Sequence, residues 1–423
     1  MLTAKDPRLA GHPAFTHPDF VWFTFARFFL VVALEMQSVA VGWQVYEITH
    51  RAIDLGYVGL AQFLPGFALF LVGGHAADLY DRRRLLMWCY AGFGLCSIFL
   101  LLISWKAPHS VHLIYVVLVL LGSVRSFNWP ASRAILPLLV PDEHFANAVA
   151  WNSSVFQIAT IAGPAVGGII YAVFHGPIAV YALGFAVSAL AWTMTLRIHT
   201  RPAVRARDGI SLTTVLAGFS FIWRKKLILG SISLDMFAVL LGGATALLPV
   251  YASEILHTGP WGLGLLRSAP GVGAAVMAIV VAYQPIRRRA GLTMLACVSL
   301  WGLLTIAFGL SRSLIVSLVA LFLCGASDMV SVIIRATLVQ IATPDEMRGR
   351  VNAIDMLFIG VSNELGEFES GFTAQWFGAV PAVVLGGLGT LTIIALWAWL
   401  FPELRNADQL TVAELTTDEE RPA

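Results

Sequence analysis

The chain has 423 residues, of which 58% are hydrophobic and only 12% charged, with a mean hydropathy of +0.78. Soluble domains are about half apolar and about a quarter charged, so this composition excludes an ordinary soluble protein. The formal net charge is +2 and the basic residues sit in short loops, which excludes a nucleic-acid partner.

In chain order, the polar, Pro-rich start (Met1–Asp19) predicts a cytoplasmic segment over 1–20 rather than a cleavable signal. Apolar runs near the ~20 residues needed to cross a bilayer follow. They predict helices near 21–47, 53–77, 85–105, 111–137, 145–173 and 177–197, a first six-helix bundle over 21–197. The stretch 198–226 is the one long connection and the natural boundary between halves. Its part Ser211–Arg224 reads either as a helix along the inner leaflet or as a plain linker. A second bundle over 227–401 is expected from spans near 227–255, 261–283, 290–310, 314–341, 351–377 and 380–401. Residues 402–423 form an acidic cytoplasmic tail of low hydrophobicity, expected to be disordered. The runs are continuous rather than alternating, so the fold class is all-α with twelve transmembrane helices, not a β-barrel.

The second set of helices repeats the first. Gly122, Pro141, Asp142, Glu143, Gly163, Gly168 and Gly184 recur as Gly325, Pro344, Asp345, Glu346, Gly366, Gly371 and Gly387, always 203 residues further on. Two-fold repetition in an apolar chain predicts two pseudo-symmetric bundles around a substrate path, the plan of a transporter.

Lys and Arg set the orientation. Arg82–Arg84, the stretch Arg197–Lys226, Arg287–Arg289, Arg348 and Arg350 fall on one side; the opposite loops carry little beyond Arg51, Lys106 and Arg312. Both termini are therefore expected in the cytoplasm, in a multi-pass protein of the inner membrane. Cys89, Cys96, Cys297 and Cys324 lie in spans without metal-like spacing, so no metal and no cofactor is expected. Gly386–Gly389 follows no strand and suits helix packing better than a nucleotide. A G-x-x-x-x-G-K-[ST] loop is lacking, which argues against direct ATP drive.

The connection between spans two and three reads Gly74-His-Ala-Ala-Asp78-Leu-Tyr-Asp-Arg82-Arg83-Arg84. Gly74 permits close helix contact, and Asp78 can accept from a basic loop or helix end; such charge-assisted contacts suit a gate. The alternative is that the arginines only fix orientation. This segment resembles the signature loop of the major facilitator superfamily, G-x-x-x-D-R/K-x-G-R-R/K, with Gly74, Asp78, Arg82 and Arg83 at matching positions. Leu79 replaces a basic residue and Asp81 a glycine. Asp81, the run Asn128-Trp-Pro130-Ala-Ser-Arg133-Ala-Ile-Leu-Pro137, Gly163-Pro164-Ala-Val-Gly167-Gly168 and Ser362-Asn-Glu364-Leu-Gly-Glu367-Phe-Glu369-Ser-Gly371 are similar to the branch that contains the enterobactin exporter. The resemblance spans about 20–402 and implies the major facilitator fold, with helices one, four, seven and ten lining a central cavity.

Ionisable groups inside a membrane are functional candidates by default. Glu35 lies in span one, Arg125 in span four, Asp235 in span seven and Asp328, the repeat equivalent of Arg125, in span ten. The resemblance places Glu35, Arg125 and Asp328 near the path, with Asp235 closer to the cytoplasm; the opposite charges Arg125 and Asp328 read either as a pair that switches or as permanent structural pairs. In span eleven Glu364 and Glu367 share a face and Glu369 points elsewhere. Two neighbouring carboxylates in a low-dielectric setting should not both stay ionised. The glutamates are therefore candidates for carrying a proton; bonding to Asn363 or pairing with Arg335, or binding a cationic substrate, are the alternatives. Gln37, Phe127, Asn128 and Trp129, with Arg125, are candidates for a cavity that takes a medium-sized amphipathic molecule; Trp43 reads as an outer anchor.

The expected function is a secondary active exporter of small organic molecules, such as siderophores or drugs, by proton antiport and alternating access. The expected partners are a small-molecule substrate, protons and the lipid bilayer, for a monomer. A proton-coupled uptake symporter and a lipid transporter share the architecture. A receptor or scaffold, or a membrane enzyme, is the reading from another class; no His-rich metal cluster or Ser–His–Asp set supports the enzyme.

Overall fold

The computed structural model describes residues 13–199, 212–286 and 288–407. Most of the N-terminal segment, the middle of the central loop, Arg287 and residues 408–423 of the tail therefore lie outside the described residues; the start of the expected disordered tail is instead a short helix, Pro402–Arg405, anchored by the buried Leu404. Each of the twelve expected spans is helical. The helices are α1 (Pro18–Thr49), α2 (Ala52–Ala68), α3 (Phe70–Leu79), α4 (Arg82–Lys106), α5 (Val111–Ile135), α6 (Asp142–Val173), α7 (Ile178–Thr195), α8 (Leu212–Arg224), α9 (Lys226–Gly242), α10 (Leu248–Val250), α11 (Gly259–Tyr283), α12 (Ala290–Leu310), α13 (Leu314–Ile341), α14 (Asp345–Phe377), α15 (Ala379–Leu400) and α16 (Pro402–Arg405). No strand occurs among the described residues.

Ten of these spans are long and apolar enough to cross a membrane, and α2 with α3 makes an eleventh that is bent by 53°. Pro65, in the last turn of α2, supplies no N–H to the turn before it, which weakens the helix just ahead of the bend. Span seven is broken after Gly242 by a 3-10 turn, the short α10 and a π-helical turn over Tyr251–Ile255. The twelfth segment, α14, has the length but not the apolarity, because Asp355, Glu364, Glu367 and Glu369 interrupt it.

The chain divides into two compact units. One comprises Met1–His50, Ala61–Ile210 and Gly259–Ser268, the other Arg51–Leu60, Ser211–Thr258 and Ala269–Ala423. Neither is a continuous stretch, since residues 51–60 group with the second unit and 259–268 with the first. The repeated glycines explain both memberships. A Cβ on Gly371 of α14 would lie 2.9 Å from the Ala52 carbonyl oxygen and 3.1 Å from the Gly56 Cα of α2. A Cβ on Gly168 of α6 would lie 2.5 Å from the Pro260 oxygen and 2.9 Å from the Gly264 Cα of α11. Backbones this close exclude any side chain, the role small residues play between membrane helices.

Within the first unit a polar ladder joins the parallel α1 and α4. Gln37 Nε2 donates to Ser97 Oγ (2.6 Å), and two turns on Gln44 Nε2 donates to Ser104 Oγ (3.0 Å). Tyr181 of α7 completes the second rung, its hydroxyl donating to Gln44 Oε1 (2.7 Å). The second unit packs an apolar core around Leu234, Met294, Ile334 and Trp397, with Trp397 Nε1 donating to Ser233 Oγ at 3.0 Å.

Candidate functional site

The densest charged site of the second unit is built by α9, α13 and α14. Asp235 stands in the middle of α9, in an apolar stretch that has no structural use for a carboxylate of its own. Facing it, Arg335 of α13 is only 4% exposed. Its Nη2 lies 3.1 Å from Asp235 Oδ2, and its Nη1 donates to Asp355 Oδ1 of α14 at 2.8 Å. Asp328, two turns earlier on α13, interacts electrostatically with both Asp235 and Arg335. Two carboxylates thus share one guanidinium, with Asp328 in its field, and the Arg335 Nε is buried without a hydrogen-bond partner. Such a set carries an excess of negative charge that a proton can neutralise, and a buried guanidinium holds its acids only while they are ionised.

The sequence candidates fall into distinct places. Asp235 and Asp328 are drawn together around Arg335, as described. Glu364 and Glu367 are half-buried on α14, and Glu367 stands against α2, where a Cβ on Gly59 would lie 2.9 Å from its Oε2. Glu369 accepts from the Thr373 hydroxyl at 2.7 Å. Arg335 is taken by aspartates rather than by these glutamates.

In the first unit, Glu35 is half-buried on α1 and its Cβ packs on Gly163 of α6. Arg125 is exposed and donates from Nη1 to Gln62 Oε1 at 3.3 Å. Phe127 and Asn128 are half-buried beside it, and the Asn128 Oδ1 is buried without a hydrogen-bond partner. Trp129 is 51% exposed and carries the Arg133 guanidinium 4.7 Å above its ring. Gln37, by contrast, is 2% exposed and wedged against Gly184 of α7, so it is a joint between helices rather than part of an open face.

The second half of the signature loop is tied to its surroundings by side-chain contacts. Asp81 caps α4, accepting from the Arg84 backbone N–H at 2.8 Å, which gives the residue in the usual glycine position a local role. Arg83 donates from Nε to the Thr195 carbonyl at 3.1 Å and from Nη2 to the Leu196 carbonyl, clasping the C-terminus of α7, where a cation is favoured. The Arg82 Nε is buried without a hydrogen-bond partner. Gly74 and Asp78 lie half-buried in α3; one residue earlier Gly73 makes the tight contact, where a Cβ would sit 2.2 Å from the Ser126 oxygen of α5.

Asp355 and Arg27 were missed in the sequence reading. Asp355 lies 203 residues after Asn152, so the repeat itself carried the signal: a neutral amide in one half, an acid in the other. Arg27 donates from Nη1 to that Asn152 Oδ1 at 2.5 Å.

The model of the Major Facilitator Superfamily matches residues 23–367 of this chain. Among curated proteins, the enterobactin exporter EntS of Shigella dysenteriae serotype 1 (strain Sd197) is 29% identical over 398 residues, covering 93% of this chain and 94% of the relative. The protein of the same name from Citrobacter koseri is 28% identical over 397 residues, with the same coverage. Among solved structures, the nucleoside transporter NupG superposes with a TM-score of 0.71 at 13% identity, covering 90% of this chain and 99% of that one. A D-xylose–proton symporter gives 0.69 at 13% identity, covering 91% and 97%. Likeness at that identity establishes the fold.

Proposed function

The chain belongs to the Major Facilitator Superfamily, as a multi-pass transporter of the inner membrane and not an enzyme, and on that premise we propose that it exports small organic molecules by proton antiport. The observation that carries this reading is the buried set Asp235–Arg335–Asp355, with Asp328 in its field. A permanent ion pair needs one acid; two acids on one arginine, with a third in its field, leave room for a proton to come and go. Export is favoured by the relatives named as enterobactin exporters, which this chain matches over nearly its whole length.

In the proposed cycle, substrate enters from the cytoplasm while the aspartates are ionised and hold Arg335. Protonation of one of them releases its share of the guanidinium and biases the carrier toward its other state. The Arg83 clasp on the end of α7 belongs to the inner gate, and both termini face the cytoplasm. One chain supplies both repeats and acts as a monomer. Glu364 and Glu367 on α14 are a second relay for the proton.

The test is substrate-induced proton movement in proteoliposomes, with siderophores and amphipathic drugs as substrates. Wild type is expected to move protons against substrate, Asp235→Asn to move substrate without protons, and Glu364→Gln/Glu367→Gln to slow both. Coupled flux unchanged in Asp235→Asn sinks the role given to this site. Proton movement in the same direction as substrate makes the protein a symporter.

A further inference from the structure

Arg27 sits in the third turn of α1. Its guanidinium is held between the Asn152 amide oxygen at 2.5 Å and the face of Phe156 at 5.2 Å, one turn further along α6. Both partners are neutral. Among the described residues its electrostatic neighbours are the neutral Tyr90 hydroxyl and a second cation, Arg133, which in turn lies over the Trp129 ring. The Tyr90 hydroxyl is itself buried and has no hydrogen-bond partner.

A guanidinium removed from water and set near another cation is unfavourable unless an anion meets it. In the second unit the repeat-equivalent position supplies that anion: Asp355 stands where the first unit has Asn152, and Arg335 bonds it. In the first unit that position holds the neutral isostere, and the arginine that meets it comes from α1 rather than from the repeat equivalent of Arg335, which is Ser132. Two Arg–aromatic pairs, Arg27 on Phe156 and Arg133 on Trp129, then present positive charge together with ring faces.

We infer that Arg27, on its Asn152 and Phe156 seat, is an anion-binding point, and that its ligand is a small aromatic anion such as an aryl carboxylate. The carboxylate meets the guanidinium beside the Asn152 oxygen and supplies the negative charge that Asp355 supplies to Arg335 in the second unit, while the ring stacks on the aromatic faces. This deepens the export reading above by naming a substrate class, and it rests on that reading.

Purified protein in detergent is titrated with benzoate, naphthoate and indole acetate, each against its neutral amide, with tryptophan fluorescence as the readout. Wild type should bind the carboxylates in preference to the amides. Arg27→Gln should weaken carboxylate binding by about thirty-fold or more, the measure of losing one partner of a desolvated charge pair. Asn152→Asp should do the same with the unfolding temperature kept or raised, because it supplies the acid from within. Equal binding of carboxylates and amides by wild type overturns the inference, as does unchanged carboxylate affinity in a folded Asn152→Asp protein. Carboxylate binding without any efflux from proteoliposomes refutes the exporter reading and leaves the site standing. Efflux of neutral or cationic compounds without carboxylate binding does the reverse.

Discussion

Positions 152 and 355 occupy the same place in the two repeats, eleventh in α6 and eleventh in α14, and each accepts a hydrogen bond from an arginine, half-buried in the first case and buried in the second. There the likeness ends. Arg335 comes from α13 and is neutralised by two aspartates, whereas Arg27 comes from α1 and rests on an amide and a ring. A repeat therefore conserves the architecture around a site while its charge balance diverges. In the readings proposed above, the arginine with neutral partners takes a ligand and the arginine with two acids answers to a proton.

The largest effect is expected from Arg335→Met, which leaves two buried carboxylates facing each other. Breaking a buried pair this way costs about 3–5 kcal/mol, so the unfolding temperature of the purified protein should fall steeply. Adding Asp235→Asn and Asp355→Asn should restore most of the loss. An Arg335→Met protein as stable as wild type would break the contrast at its stronger side.

Next in size come the repeated glycines of spans four and ten, where the two units should behave alike. A Cβ on Gly325 would lie 1.9 Å from the Pro270 oxygen, and one on Gly122 2.2 Å from the Gln62 oxygen. Alanine at either position should destabilise by about 1–3 kcal/mol through forced backbone separation. Gly360→Ala, which meets nothing within 4 Å, is the control and should be neutral or better. A clear difference between Gly122→Ala and Gly325→Ala would show that packing, as well as charge, has diverged.

The smallest effect is expected from Arg83→Gln at the end of α7. It loses the two carbonyl contacts of a half-buried side chain, about 1 kcal/mol of stability by the usual net value of a hydrogen bond. A measurable change in transport rate with little change in unfolding temperature would mark the clasp as part of the gate. Loss of stability alone would make it a fastening.

Much of the frame was legible beforehand. Hydrophobic length is a local property, so all twelve helical segments could be drawn; the break after Gly242 could not, because a π-turn leaves no trace in hydropathy. The glycine repeat was also legible, though not its reason, which lies in partners such as Gln62 and Pro270 that the interval of 203 does not name. Among the charges, Asp235 and Asp328 were singled out because any acid in an apolar helix is conspicuous. Asp355 was not, since it lies in the polar first half of α14 among other charges.

By itself, then, the sequence determined that this is a helical membrane protein with two related halves, because the length and apolarity of a span are properties of its own residues and lipid forces such a span to satisfy its backbone as a helix. It also marked which ionisable groups enter the membrane. Only the tertiary structure decided which of them meet. Arg335 is far along the chain from Asp235, and several carboxylates compete for it. The choice falls to the angle and depth at which α9, α13 and α14 pack, since ion pairing acts over a few ångströms in space and is blind to distance along the chain.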